Sequence, residues 1–156
     1  MTHPRTTHPN HRPWTGPARI GALYDLAVAP VFATPWTARL AIEGLRSVHT
    51  ALGLPGPPPD HFGPEHLLFV TFFGVLVTMW AVVRLVRGDA VTTAADTAGR
   101  MAFALLMAVA MVNGASTVLT VFLAVETGFL LAQGRQLIRA KQRHTRTPRF
   151  RETVSR

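Results

Sequence analysis

Glu126 is the residue whose type and place most demand a chemical explanation. It sits in TVLTVFLAVETGFLLAQG, residues 117–134, a run otherwise apolar enough for lipid. It lies nine residues into that run, about 13 Å deep in a helix rising 1.5 Å per residue. Ionisable groups at such depth are expected to face other helices and to mark a site. By helical angle Glu126 shares a face with Leu119, Phe122, Phe129, Leu130 and Gln133. Glu126, Phe122, Phe129 and Gln133 are therefore the candidate ligand-binding set. An acid framed by two phenylalanines and an amide suits the polar head of an apolar ligand, a quinone or a lipid, or a proton. With the nearest cations expected about 13 Å or more away at the cytoplasmic helix ends, the carboxyl is expected to be neutral and to donate to a ligand carbonyl.

Arg84, Asp96 and Arg100 form a second group. Asp96 and Arg100 are one helical turn apart and are expected to pair locally near the headgroups, a pair that exchanging the two residues would preserve. With Arg84 they are the candidate anion or headgroup site; the plainer reading is an ion pair with positive anchors.

Other chemistry-bearing stretches carry less. DHFGPEH gathers Asp60, His61, Glu65 and His66, all zinc-ligand types. Gly63-Pro64 interrupts the alignment they would need, and Pro64 reads as the first position of a helix that Glu65 complements. His3, His8 and His11 lie in a proline-rich tail that fixes no ligand geometry, and His49 reads as structural or interfacial. No metal site is expected. There is no cysteine, which excludes disulfides and thiolate chemistry. No phosphate-binding glycine loop, nucleophile elbow, zincin motif or paired catalytic carboxylates occur, so no catalytic residue is assigned and a non-enzymatic protein is expected.

The elements that must hold these residues follow from how the apolar residues are grouped. The 156 residues are 48% hydrophobic and 15% charged, and the apolar ones come in blocks, as membrane spans do. Residues 67–83 contain no charge, with Arg84 and Arg87 snorkelling at one end and Trp80 as an interfacial aromatic. Residues 101–134 are too long for one crossing, and NGAS at 113–116 predicts a hairpin of two helices, about 92–112 and 117–138. Residues 20–53 contain Pro30 and Pro35, which bend or break them. Within them Ala38, Ala41, Leu45, Val48 and Leu52 mark an apolar stripe opposite Arg39, Glu43 and Arg46. This segment either lies at the interface or crosses as a first helix.

Charge placement favours crossing. Links 53–66 and 113–116 carry no Lys or Arg, whereas 1–19, 84–100 and 135–156 carry three, three and eight. Four spans put every basic stretch on the cytoplasmic side. The expected fold is all-α: an integral membrane four-helix bundle over residues 20–138, its first helix the least determined. A disordered cytoplasmic tail at 1–19 and a basic cytoplasmic tail at 139–156 flank it. Thr71, Gly74, Thr78 and Ala81 form one small-residue packing stripe, and Thr120, Ala124 and Gly128 a second. The polybasic end, RQLIRAKQRHTRTPRFR, is expected to set topology and touch anionic lipids rather than nucleic acid, since only Phe150 could stack on bases.

YDLAVAPVFATPWTARL, HLLFVTFFGVLVTMWAVVRLVRG and DTAGRMAF together resemble a family of small bacterial inner-membrane proteins, similar in outline to the DoxX-like four-helix group. The likeness covers roughly residues 23–134, with Gly74, Trp80, Arg84, Asp96, Gly99 and Arg100 on the pattern. It implies a multi-pass inner-membrane bundle and, more distantly, an accessory subunit of a quinone-linked oxidoreductase. Three expectations result: binding of an apolar ligand or a partner membrane subunit (another copy included) around Glu126, that accessory role, or small proton-coupled transport.

Overall fold

The computed structural model describes residues 16–146. The three tail histidines and residues 147–156 of the basic tail lie outside that range. Among the described residues the chain is all-helical, with no strand: α1 (Pro17–Val28), a 3-10 turn (Ala29–Phe32), α2 (Pro35–Ala51), α3 (Pro64–Arg87), α4 (Ala90–Val112) and α5 (Leu119–Arg146).

The expected first segment is thus two helices. Pro30 falls within the 3-10 turn and Pro35 opens α2, where proline's missing N–H costs nothing. Thr34 caps α2, its Oγ1 accepting from the Thr37 N–H at 3.3 Å. Pro64 opens α3 with Glu65 in its first turn, as the sequence predicts. At the other end of α3, Gly88 takes a left-handed φ of 49°, which glycine adopts without a Cβ penalty. Asp89 then caps α4 in a reciprocal box with Thr92, so two residues reverse the chain. Bonds from the Thr92 N–H and hydroxyl hold the Asp89 carboxyl below its ordinary pKa. α5 continues to Arg146, past the expected end at 138, because residues 135–146 are strong helix formers uninterrupted by proline.

The interrupted α1–α2 segment runs antiparallel along α3. Asp25 meets Arg84 near one end, Phe32 packs on Gly74 in the middle, and Ala38 and Ile42 pack on Leu67 near the other. The approach at the break is close: a Cβ on Gly74 would sit 2.4 Å from the Phe32 carbonyl carbon. α4 and α5 form a hairpin, and α1 packs between α3 and α5. Loops 52–63 and 113–118 meet at one end, where the Thr117 hydroxyl donates to the Pro55 carbonyl at 2.7 Å.

Two packing expectations change. On α2 the buried residues are Ala38, Ile42 and His49, while Val48 and Leu52 are exposed. The groove it meets on α3, rather than its own apolar pattern, selects that face. On α3 the first small-residue stripe packs, with Gly74 and Ala81 buried. The second does not: Thr120, Ala124 and Gly128 are exposed, and a Cβ on Gly128 would meet nothing within 4 Å.

The distribution of polarity is inverted relative to a water-soluble fold. Among the described residues the buried apolar side chains are few and four of the seven are alanine, while Arg84, Asp96, Arg100, His49 and Gln133 are inside. Gln133 is the largest side chain fully buried. Outside lie Leu68, Phe69, Phe72, Leu76 and Met79 of α3, and Leu105, Leu106 and Val109 of α4. By length and composition, α3 and α4 are long and apolar enough to cross a membrane.

Candidate functional site

The buried polar residues of α1, α3, α4 and α5 converge on one network. Arg100, 2% exposed, sends its three nitrogens to three carboxylates. Nε donates to Asp96 Oδ2 at 3.1 Å, NH1 to Glu126 Oε2 at 2.8 Å and NH2 to Asp25 Oδ2 at 2.6 Å. Arg84 donates to Asp96 Oδ2 at 2.6 Å and also to Asp25. Asp96 is further held by Gln133 Nε2 at 2.9 Å and by the Trp80 indole N–H at 3.2 Å. The Thr97 hydroxyl, in turn, donates to Gln133 Oε1 at 3.1 Å.

The local reasons are legible helix by helix. Asp96 and Arg100 are one turn apart on the first buried face of α4, and Glu126, Phe129 and Gln133 recur at three- and four-residue spacing on α5. Gly21 lets α1 close on them: a Cβ there would lie 3.1 Å from both Arg100 NH2 and Gln133 Nε2. The Arg100 guanidinium sits 4.8 Å from the centre of the Phe129 ring, which also contacts Tyr24 at 5.4 Å between centroids. A cation over an aromatic face is attracted by the ring quadrupole.

The network joins two sets that the sequence presents separately. Glu126, Phe129 and Gln133 of the ligand set lie together with Arg84, Asp96 and Arg100 of the anion set. Phe122 is half-buried one turn before Glu126 and takes no part in the network. Arg100 lies beyond the opening turns of α4, about 15 Å along the helix from its start at Ala90. The hairpin then sets it level with Glu126, which overturns the expectation that no cation approaches that carboxyl. Isolation from cations is thereby lost as a reason for Glu126 to be neutral. Arg84, likewise, is 7% exposed and turned into the network rather than out along the helix end, and the Trp80 indole donates to Asp96.

Asp25 is the member that sequence reasoning missed. Its signal was the one that singled out Glu126: it is the only charged residue between Arg19 and Arg39.

Counting charges shows what the site can do. Three carboxyl groups share two guanidiniums, so the cluster has one acid more than its cations balance. Asp25 and Asp96 each accept from both arginines, whereas Glu126 is bonded to Arg100 through Oε2 alone. Glu126 is also the most open of the three, its side chain 17% exposed against 12% and 7%. Among the described residues, the Nε of Arg84 is buried with no partner.

The other expected ligand types go elsewhere. His61 Nδ1 lies 2.9 Å from Glu43 Oε1, and no group of three or more His, Asp or Glu among the described residues is arranged to hold a metal. His49 is buried with both nitrogens engaged: Nε2–H donates to the Gly56 carbonyl at 3.1 Å, which assigns Nδ1 to accept from the Ser116 hydroxyl at 2.8 Å. It ties α2 to the α4–α5 turn. In comparisons with known proteins, no family model, curated protein or solved structure matches this chain.

Proposed function

We propose that this is a multi-pass protein of the bacterial inner membrane, with both termini cytoplasmic, that binds an apolar ligand with a polar head at the network around Glu126. The crossing elements are the interrupted α1–α2 segment, α3, α4 and α5, a four-segment bundle. The observation that carries the reading is the buried network itself, with arginine, aspartate and glutamine inside and Leu, Phe and Met outside. Charges in the lipid-facing part of a protein are retained where they pair internally and mark a site. Glu126 is the ligand's point of entry because it is the most open carboxylate and the least committed. It offers an acceptor to a hydroxyl-bearing head, and Phe129 offers apolar contact. Quinols and hydroxyl-bearing lipids have that combination of head and body, and the DoxX-like resemblance supports the quinone-linked accessory role as the form this binding takes.

A second reading, a partner subunit or second copy docked in the membrane, is favoured by one observation. The exposed Thr120–Ala124–Gly128 seam is the kind of small-residue surface along which membrane helices approach.

Glu126→Leu tests the ligand site. It leaves two guanidiniums with two carboxylates, a balanced network, so insertion and yield should hold while ligand is lost. Protein purified in detergent and extracted for mass spectrometry should release a quinone or lipid from wild type and none of it from the variant. Equal recovery from both would remove Glu126 from the site.

A further inference from the structure

α5 extends well past its apolar run, and its last turns carry Arg135, Arg139 and Arg143 at i, i+4 and i+8. That spacing lines them along one face over about 12 Å. They border a cleft of about 480 Å³ whose other walls are Ala132, Gln136, Ala140 and Pro17. Pro17 is the first residue of α1, so the cleft lies where the beginning of one helix meets the extension of another. The alanines line the groove beside the guanidiniums, and among the described residues no carboxylate lines it. The Gly16 cap of α1 supplies no side-chain acceptor to the first turn, so that helix end adds its partial positive charge to the same space.

We infer that this cleft is a binding site for the phosphate of an anionic phospholipid headgroup in the cytoplasmic leaflet. Guanidinium is suited to phosphate because its planar fork donates two parallel hydrogen bonds. The position argues for a lipid rather than a free anion: the cleft begins at Ala132, in the turn of α5 that holds the buried Gln133, and continues out along the basic extension. A headgroup at that level can set its phosphate among the arginines with its acyl chains still beside α5. Basic pockets between helices on this side of a membrane are suited to such lipids. The inference rests on the membrane reading but not on the Glu126 site.

Delipidated protein in neutral detergent, titrated with phosphatidylglycerol and monitored by native mass spectrometry, tests it. Wild type should retain phosphatidylglycerol in preference to phosphatidylcholine. Arg135→Gln with Arg139→Gln should weaken retention on the order of 30-fold. Arg149→Gln with Arg151→Gln, the same loss of charge further along the chain, should leave it unchanged. Equal weakening by both pairs would replace the site with diffuse attraction to the basic end. Displacement of the lipid by millimolar inorganic phosphate would make it a free-anion site instead. Carbonate extraction of cell membranes reads the membrane assignment separately: wild-type protein released by carbonate would end that assignment and this inference with it, whereas failure of the lipid titration alone would leave it standing.

Discussion

Arg100 and Glu126 touch each other, yet removing them should have opposite consequences. Arg100→Leu leaves Arg84 alone against Asp25, Asp96 and Glu126, an excess of two buried acids. Removing one partner of a buried ion pair costs about 3–5 kcal/mol, and here three pairs share the partner. The expected outcome is loss of folded protein, read as a collapse of the thermal midpoint or of monodisperse yield in detergent. Arg100→Lys should not restore it, since one ammonium on a flexible stem cannot reproduce a planar fork aimed at three oxygens. Exchanging Asp96 and Arg100 should also fail, although the local pair alone would tolerate it. An arginine at 96 would face Arg84, and an aspartate at 100 would face Asp25 and Glu126. A stable exchanged protein would mean that the network contributes little to the fold. At this scale the sequence was half legible. A lone acid in an apolar run identifies Glu126, and the same rule applied to residues 20–38 would have identified Asp25. What spacing does not encode is their meeting. Asp25 reaches Arg84 across 59 residues and Arg100 across 75, contacts set only by how the helices pack.

Helices start and stop where local chemistry requires, which is why most boundaries could be read in advance. Pro64 and the neutral turn before α5 mark their elements without help from the rest of the chain. Pro30 and Pro35 announce a break but not its use. The break presents the 3-10 turn to α3, and Gly74 exists to receive it: its absent Cβ is what allows the Phe32 and Ala33 backbone to approach. Backbone cannot rotate aside as a side-chain tip can. Gly74→Ala should therefore cost about 1–3 kcal/mol through overpacking, despite alanine's better helix propensity. Gly128→Ala, on the open face of α5, is the control, and helix propensity alone should leave it unchanged or slightly stabilised. A difference in thermal midpoint between the two variants measures the contact; equal midpoints would show that the turn does not rest on α3. The burial of α2 was misread for a related reason. Its face is chosen by α3, and periodicity within one helix carries no information about the groove on another.

Across the whole molecule, the network explains how segments with charges can cross a bilayer. Glu126 and Gln133 lower the apolar character of α5, and α1 and α2 are each too short to cross alone, so among the described residues only α3 and α4 are single helices long and apolar enough. Their polar groups, however, point inward and are bonded to one another, so lipid does not have to solvate them. Crossing by the first segment also fits the connections. It runs the length of α3 in the opposite direction, and its far end is fastened to the α4–α5 turn by His49 with Ser116 and by Thr117 with Pro55. Loops 52–63 and 113–118 thus share one end and the Gly88–Asp89 reversal lies at the other, together with the start of α1 and the extension of α5. The ends also differ in charge, since neither loop 52–63 nor loop 113–118 contains Lys or Arg. On the proposed four-span reading, the positive-inside rule would orient the molecule with the reversal and both chain termini in the cytoplasm. Reporters fused at residues 10, 58, 90, 115 and 150 should read inside, outside, inside, outside, inside. The decisive position is residue 10. If it reads outside while 58 and 115 still do, the first segment lies along the outer surface and does not cross. Asp25 would then have no path to Arg84 and Arg100, and the shared network would have to be abandoned along with the four-span topology.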